Sequence, residues 1–138
     1  MKAYPNILFR MRLKALELME LLSSFSPRLI GSVSSGKIKG NSDIDLHVFC
    51  DHIETLTIFL ADQEIRFEQN EVLIMKNNKP RVYQHIYLKN EFDIELSVYP
   101  ETELRVTSRS STDGKPIVRL TKAKLERLIQ EEHWQQLV

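Results

Sequence analysis

Leu29 to Phe49 reads LIGSVSSGKIKGNSDIDLHVF, and this stretch decides the fold. It carries three of the chain's four glycines and then, on an apolar run, Asp43 and Asp45 one residue apart. Aspartate is disfavoured in a strand, where Val or Ile packs better. Side chains alternate along a strand, so Asp43, Asp45 and His47 share one face while Ile44, Leu46 and Val48 point to the core. Two neighbouring carboxylates repel, and one takes up a proton unless a cation lies between them. An all-oxygen pair suits Mg²⁺ or Mn²⁺, which are held by one or two carboxylates together with substrate phosphates. Taken alone, an Asp-x-Asp is equally compatible with a solvated strand face. The preceding Gly31-Ser32, at the end of a short apolar run, puts backbone N–H groups and a hydroxyl where the chain turns. Such a nest suits the terminal phosphates of a nucleotide, and Lys37 and Lys39 add positive charge beside it.

The rest of the chain reads outward from there. Ile7, Leu8, Met11, Ala15, Leu18, Met19 and Leu22 recur at steps of three and four, which predicts a helix over about 6–24, stopped before Pro27. RLIGSV and SDIDLHVFC predict two strands, with SSGKIKGN a turn or short helix between them. DHIE at Asp51–Glu54 has capping-box spacing ahead of a helix, IETLTIFLADQ. IRFEQNEVLIMK, RVYQHIYL and FDIELSVY read as strands separated by the turn signals NNKP and KNE. Residues 101–120 are polar and irregular, with a tight turn expected at Asp113-Gly114. A last helix starts at Thr121, with Leu125, Leu128, Ile129 and Trp134 along one side. The fold class is α+β, helices on a small mixed sheet.

The 138 residues fit one domain, its core over about 6–100 and a polar connection plus helix over 101–138. Nineteen Lys and Arg balance nineteen Asp and Glu, so net charge points to neither wholesale nucleic-acid nor membrane binding. The single cysteine, Cys50, excludes an internal disulfide and a multi-cysteine zinc site and fits a reducing compartment. Charges at Arg10, Arg12, Lys14 and Glu17 interrupt the N-terminal apolar run, so no signal peptide is read and the cytoplasm is the expected location.

Gly31-Ser32, ten residues, then Asp43-Ile44-Asp45 resembles the signature of the DNA polymerase β-like nucleotidyltransferase superfamily, and within it the minimal nucleotidyltransferases. The resemblance implies a polymerase β palm-like fold and a Mg²⁺-dependent transferase with ATP as substrate. It implies two Mg²⁺ ions on Asp43, Asp45 and a third acid from a neighbouring strand, with Gly31, Ser32 and Lys37 toward the nucleotide. EFDIELSVYP offers Asp93 and Glu95 on one strand face. Apolar-Asp-apolar before a proline matches the family pattern at Asp93, the expected catalytic and metal-binding carboxylate, with Glu95 as runner-up. Many members have Gly-Ser-x-x-Arg-Gly, whereas here Ser35 precedes Gly36, which removes a cation from beside the triphosphate.

His47 shares the metal face but suits an oxygen-rich site poorly and is expected to be structural; His52, His85 and His133 show no ligand spacing. Cys50 is expected to be buried. Tyr83, Tyr87, Phe92 and Tyr99 read as sheet packing, with one ring available to stack on a base. Arg109, Lys115 and Arg119 lie in the polar connection and read as a solvated loop or an acceptor grip. Minimal nucleotidyltransferases often stand beside a HEPN-domain toxin as its antitoxin, which implies AMP transfer to a toxin tyrosine. A chain of this size has little room for its own acceptor domain, which favours a partner protein as acceptor. The alternatives are a small acceptor such as an aminoglycoside, and a non-catalytic binding module of the same fold.

Overall fold

In the computed structural model, residues 3–106 and 114–138 are described. Helix α1 (Ala3–Leu21) leads through a short 3₁₀ turn to β1 (Arg28–Ile30), α2 (Gly31–Ser35) and β2 (Ile44–Phe49). Helix α3 (Ile53–Asp62), the hairpin of β3 (Glu68–Lys76) and β4 (Lys79–Lys89), then β5 (Asp93–Tyr99) follow, and after them α4 (Lys122–Glu132) and a further 3₁₀ turn (Trp134–Leu137). The five strands form one mixed sheet in the order β1-β2-β5-β4-β3. Strands β2 and β5 run parallel at its centre; the other three pairings are antiparallel. The β3–β4 turn falls at Asn77-Asn78, both with positive φ (55° and 62°), as a tight hairpin needs and asparagine tolerates. No helix among the described residues is long and apolar enough to cross a membrane.

The α+β reading is what the chain adopts, and alternation explains its layers. Ile44, Leu46 and Val48 of β2 and Ile94, Leu96 and Val98 of β5 are buried in one cluster with Met11, Ala15 and Leu18 of α1, Leu56 and Leu60 of α3, and Leu125 and Ile129 of α4. Asp45, His47, Glu95 and Ser97 therefore stand on the opposite face. The polar connection returns past β1, where Leu29 and Leu120 exchange backbone hydrogen bonds at 2.9 Å.

Several local expectations differ from what is found. The capping box does not form: α3 starts at Ile53 with no side-chain cap, because the Asp51 carboxylate accepts instead from the Glu101 N–H at 3.0 Å. Helix α4 is capped by Thr121, whose hydroxyl accepts from the Lys124 N–H. It ends at Glu132, so Trp134 lies past its last turn and is exposed, while His133 turns inward and is buried. Cys50 is half-buried, not enclosed, since it sits where β2 leaves the sheet. Asp113 of the expected Asp113-Gly114 turn, and Arg109, lie outside the described residues.

Candidate active site

Asp43 lies one residue ahead of β2 and Asp45 is the second residue within it. The parallel register sets Asp45 directly beside Glu95. One carboxylate oxygen from each of Asp43, Asp45 and Glu95 lies within 4.8 Å of the others, and all three residues are half-buried. Asp93, expected as the third acid, is not in this group. It is the exposed first residue of β5, opposite Lys89. Glu95 holds the neighbouring position because the register aligns Ile44 with Ile94, which sets position 95 rather than 93 beside Asp45. The longer side chain of glutamate gives it the reach to meet both aspartates.

Electrostatics mark Asp45 as the strained member. Burial first, then the charges of Asp43 and Glu95, push its pKa from 3.8 up to about 7, and the close approach of the Asp43 side chain adds to the rise. Among the described residues no Lys, Arg or His forms an ion pair with Asp43 or Asp45; the Nδ1 of His85 stands 3.6 Å from Glu95. Three convergent oxygen donors that repel one another, two of them without an ion-pair partner among the described residues, fit a small hard dication.

The glycine of Gly31-Ser32 is required twice over. Its φ is +78°, which side chains rarely adopt, and a Cβ there would stand 2.7 Å from Asp45 Oδ2. Residue 31 therefore brings bare backbone against the carboxylate, and α2 begins at that point, directly off the end of β1. Ser32 lies in the first turn of α2. Lys37 is exposed beyond its end. Ser35, in the place where the resembling family has Arg, is used locally: its hydroxyl donates to the Ser32 carbonyl (3.3 Å) and accepts from the Lys37 N–H (3.2 Å).

His47 is buried and held neutral on the face of β2 that also carries Asp45. Arg119 Nε donates to its Nδ1 at 3.1 Å, so its proton sits on Nε2, and burial together with the Arg119 charge lowers its pKa to about 3. Arg119 does not grip from a solvated loop. It donates to the carbonyls of Glu103, Leu104 and Val106 and packs over the rings of Phe49 and Tyr99, pinning the polar connection to the sheet. Tyr83 and Tyr99 pack together with ring centroids 5.1 Å apart, as sheet packing predicts. A groove of about 410 Å³ lies at the other end of β2 and β5 against Cys50, Tyr83, Tyr99 and Glu103; none of Gly31, Ser32, Asp43, Asp45 or Glu95 lines it.

A residue that sequence reading treated only as an interruption proves central: Arg12 is wholly buried between α1, α2 and α4. Its signal was its place on the apolar stripe, four residues after Leu8 and three before Ala15.

No family model matches the chain, and no curated protein does. Among solved structures it is similar to a cytoplasmic RNA terminal U-transferase, at 20% identity over 67% of this chain and 27% of that one, with a TM-score of 0.37. The GLD-2/RNP-8 complex is matched at 15% identity over 77% of this chain and 44% of that one, TM-score 0.37. Cid1, an RNA terminal uridylyl transferase, is matched at 21% identity over 65% and 30%, TM-score 0.39. The chain spans less than half the length of each of them.

Proposed function

We propose that this chain is a divalent-metal-dependent nucleotidyltransferase that moves AMP from ATP onto a hydroxyl of a partner protein and releases pyrophosphate. The observation that carries the reading is the meeting of Asp43, Asp45 and Glu95 beside the bare backbone of Gly31. The three carboxylates would hold two Mg²⁺ ions, with Glu95 in the role that sequence alone gave to Asp93. Bound there, the ions supply charge neutralisation for the triphosphate and a lowered pKa for the attacking hydroxyl.

What the chain itself contributes is positioning and charge, which is most of what phosphoryl transfer needs. The N–H groups and hydroxyl at Gly31 and Ser32 receive the β- and γ-phosphates, and exposed Lys37 adds charge beyond them. The acceptor oxygen forms a bond to the α-phosphorus while the bond from that phosphorus to the β-bridging oxygen breaks. The hydroxyl proton passes to a carboxylate of the group, and pyrophosphate leaves from the α2 side.

A protein acceptor is supported by the resemblance to minimal nucleotidyltransferases and by the surface. Glu68, Glu71 and Glu101 are exposed among Arg66, Arg81 and Arg105, a mixed-sign pattern that orients a protein partner better than it gathers a polycation. The acceptor proposed is a tyrosine of a HEPN-type toxin. Incubation with α-labelled ATP, Mg²⁺ and such a partner should leave label on the partner, and none with Asp45→Asn. Label on an aminocyclitol with an unmodified partner would replace the protein acceptor by a small molecule. No label transfer to either would overturn the enzyme reading in favour of a binding module.

A further inference from the structure

Helix α2 has only five residues, too few to be stable without outside support. Its carbonyl end is supported by one side chain from another helix. Arg12 Nε donates to the Val33 carbonyl at 2.9 Å and Nη2 to the Ser34 carbonyl at 3.1 Å. These are C-terminal carbonyls of α2 that have no partner within so short a helix. The Gly36 N–H closes the same end on the Ser32 carbonyl at 2.8 Å. Gly36 has φ +85°, and a Cβ there would stand 3.2 Å from Arg12 Nη2. The remaining reach of the guanidinium goes to α4: Nη1 donates to Glu132 Oε1 and to His133 Nε2, each at 2.9 Å.

We propose that Arg12 is the positioning residue of the Gly31-Ser32 turn, and that through Glu132 and His133 it makes the end of α4 part of that turn's support. Glycines at positive φ bound α2 on both sides, so the one-turn helix can pivot at either junction. Fixing its carbonyl end fixes where the N–H groups and the Ser32 hydroxyl point, roughly 7 Å away along the axis. Asp45 and Glu95 stand on β2 and β5 and Asp43 directly ahead of β2, and none of the three is a hydrogen-bond partner of Arg12. Nucleotide affinity and metal affinity are therefore separable, which a merely structural role for Arg12 would not produce. The proposal rests on the reading that triphosphate sits on this turn.

The test is calorimetric titration of the full chain with Mn²⁺ alone and then with ATP in the presence of Mn²⁺. Arg12→Lys can satisfy one or two of the four acceptors, and it should weaken ATP binding by about tenfold or more while leaving Mn²⁺ binding within about twofold. Glu132→Ala removes a half-exposed partner and leaves the contacts of Arg12 to Val33, Ser34 and His133 in place; with its fold checked by a thermal melt, it should weaken ATP binding by about threefold with Mn²⁺ binding unchanged. Wild-type ATP affinity in Glu132→Ala, or equal losses of Mn²⁺ and ATP binding in either variant, would overturn the proposal. Its failure is distinct from failure of the nucleotidyltransferase reading, which is shown by a wild-type chain that binds neither Mn²⁺ nor ATP.

Discussion

The two ends of α2 are built alike and charged in opposite senses. At one end Gly31 lets backbone approach Asp45; at the other Gly36 lets it approach Arg12. Each glycine has positive φ and each would push a Cβ against a charged group. The difference lies in how the charges are satisfied. Arg12 is wholly buried and donates to two carbonyls, a carboxylate and an imidazole, as a buried cation must. Asp45 is only partly buried, yet it faces two like charges and, among the described residues, no ion-pair partner. A protein that tolerates such repulsion gains nothing from it in stability. The satisfied pole is framework; the unsatisfied one is where a ligand's charge is expected.

The largest effect should come from breaking the acidic pole. Asp45→Asn should lower label transfer by about three orders of magnitude or more, since it removes charge that the transition state uses. Without metal the same variant should melt higher, because repulsion with Asp43 and Glu95 is relieved; each kcal/mol is worth about 3–5 °C in a domain of this size. Retained transfer, or a lower metal-free melting temperature, would contradict the account of this pole. Next in size, Glu95→Gln should lose about a hundredfold in rate while Asp93→Asn stays within about threefold, as kinetics on the two variants would show. The reverse order would return the third-acid role to Asp93.

These two acids mark how far sequence carried. The apolar steps of α1, the alternation in β2 and β5 and the Asn77-Asn78 turn were all legible, because each is written in local spacing. The closeness of Asp43 to Asp45 and the turn at Gly31 were legible for the same reason. The choice between Asp93 and Glu95 was not, because it depends on the inter-strand register of β2 and β5, which no local pattern fixes. Arg12 was missed because a charge on an apolar stripe reads as an interruption until its partners on α2 and α4, distant in sequence, are brought to it. The inward turn of His133 in place of Trp134 was not legible either, because α4 ends at Glu132, before the position its periodicity gives to Trp134.

Comparing the glycines sharpens the contrast between the poles. Gly31→Ala should destabilise by about 1–3 kcal/mol and weaken Mn²⁺ binding, since its Cβ would displace the Asp45 carboxylate. Gly36→Ala should cost about 1–2 kcal/mol, from φ and a milder contact with Arg12, with Mn²⁺ binding unchanged. Thermal melts and Mn²⁺ titrations of both variants check this; equal Mn²⁺ affinity in the two would remove the distinction.

The smallest effect is the pH dependence of the metal-free chain. The Asp45 pKa is raised on folding, from 3.8 to about 7, so between those values the native state binds the extra proton. Stability should therefore fall as pH rises through that window and level off above it. Solvent reaches the group, so the change should be no more than about 2 kcal/mol. Denaturant melts from pH 4 to pH 8 measure it, with Asp45→Asn as the flat reference. A slope of the opposite sign would mean that Asp45 is not crowded by its neighbours.

The most direct measurement is the thermal midpoint at pH 7.5 as Mn²⁺ is added to wild type, Asp43→Asn, Asp45→Asn and Glu95→Gln. A site made of these three carboxylates predicts a midpoint that climbs with Mn²⁺ in wild type, with the rise lost or strongly reduced in each variant. No rise in wild type, or an equal rise in all four proteins, would contradict the claim that Asp43, Asp45 and Glu95 form a metal site.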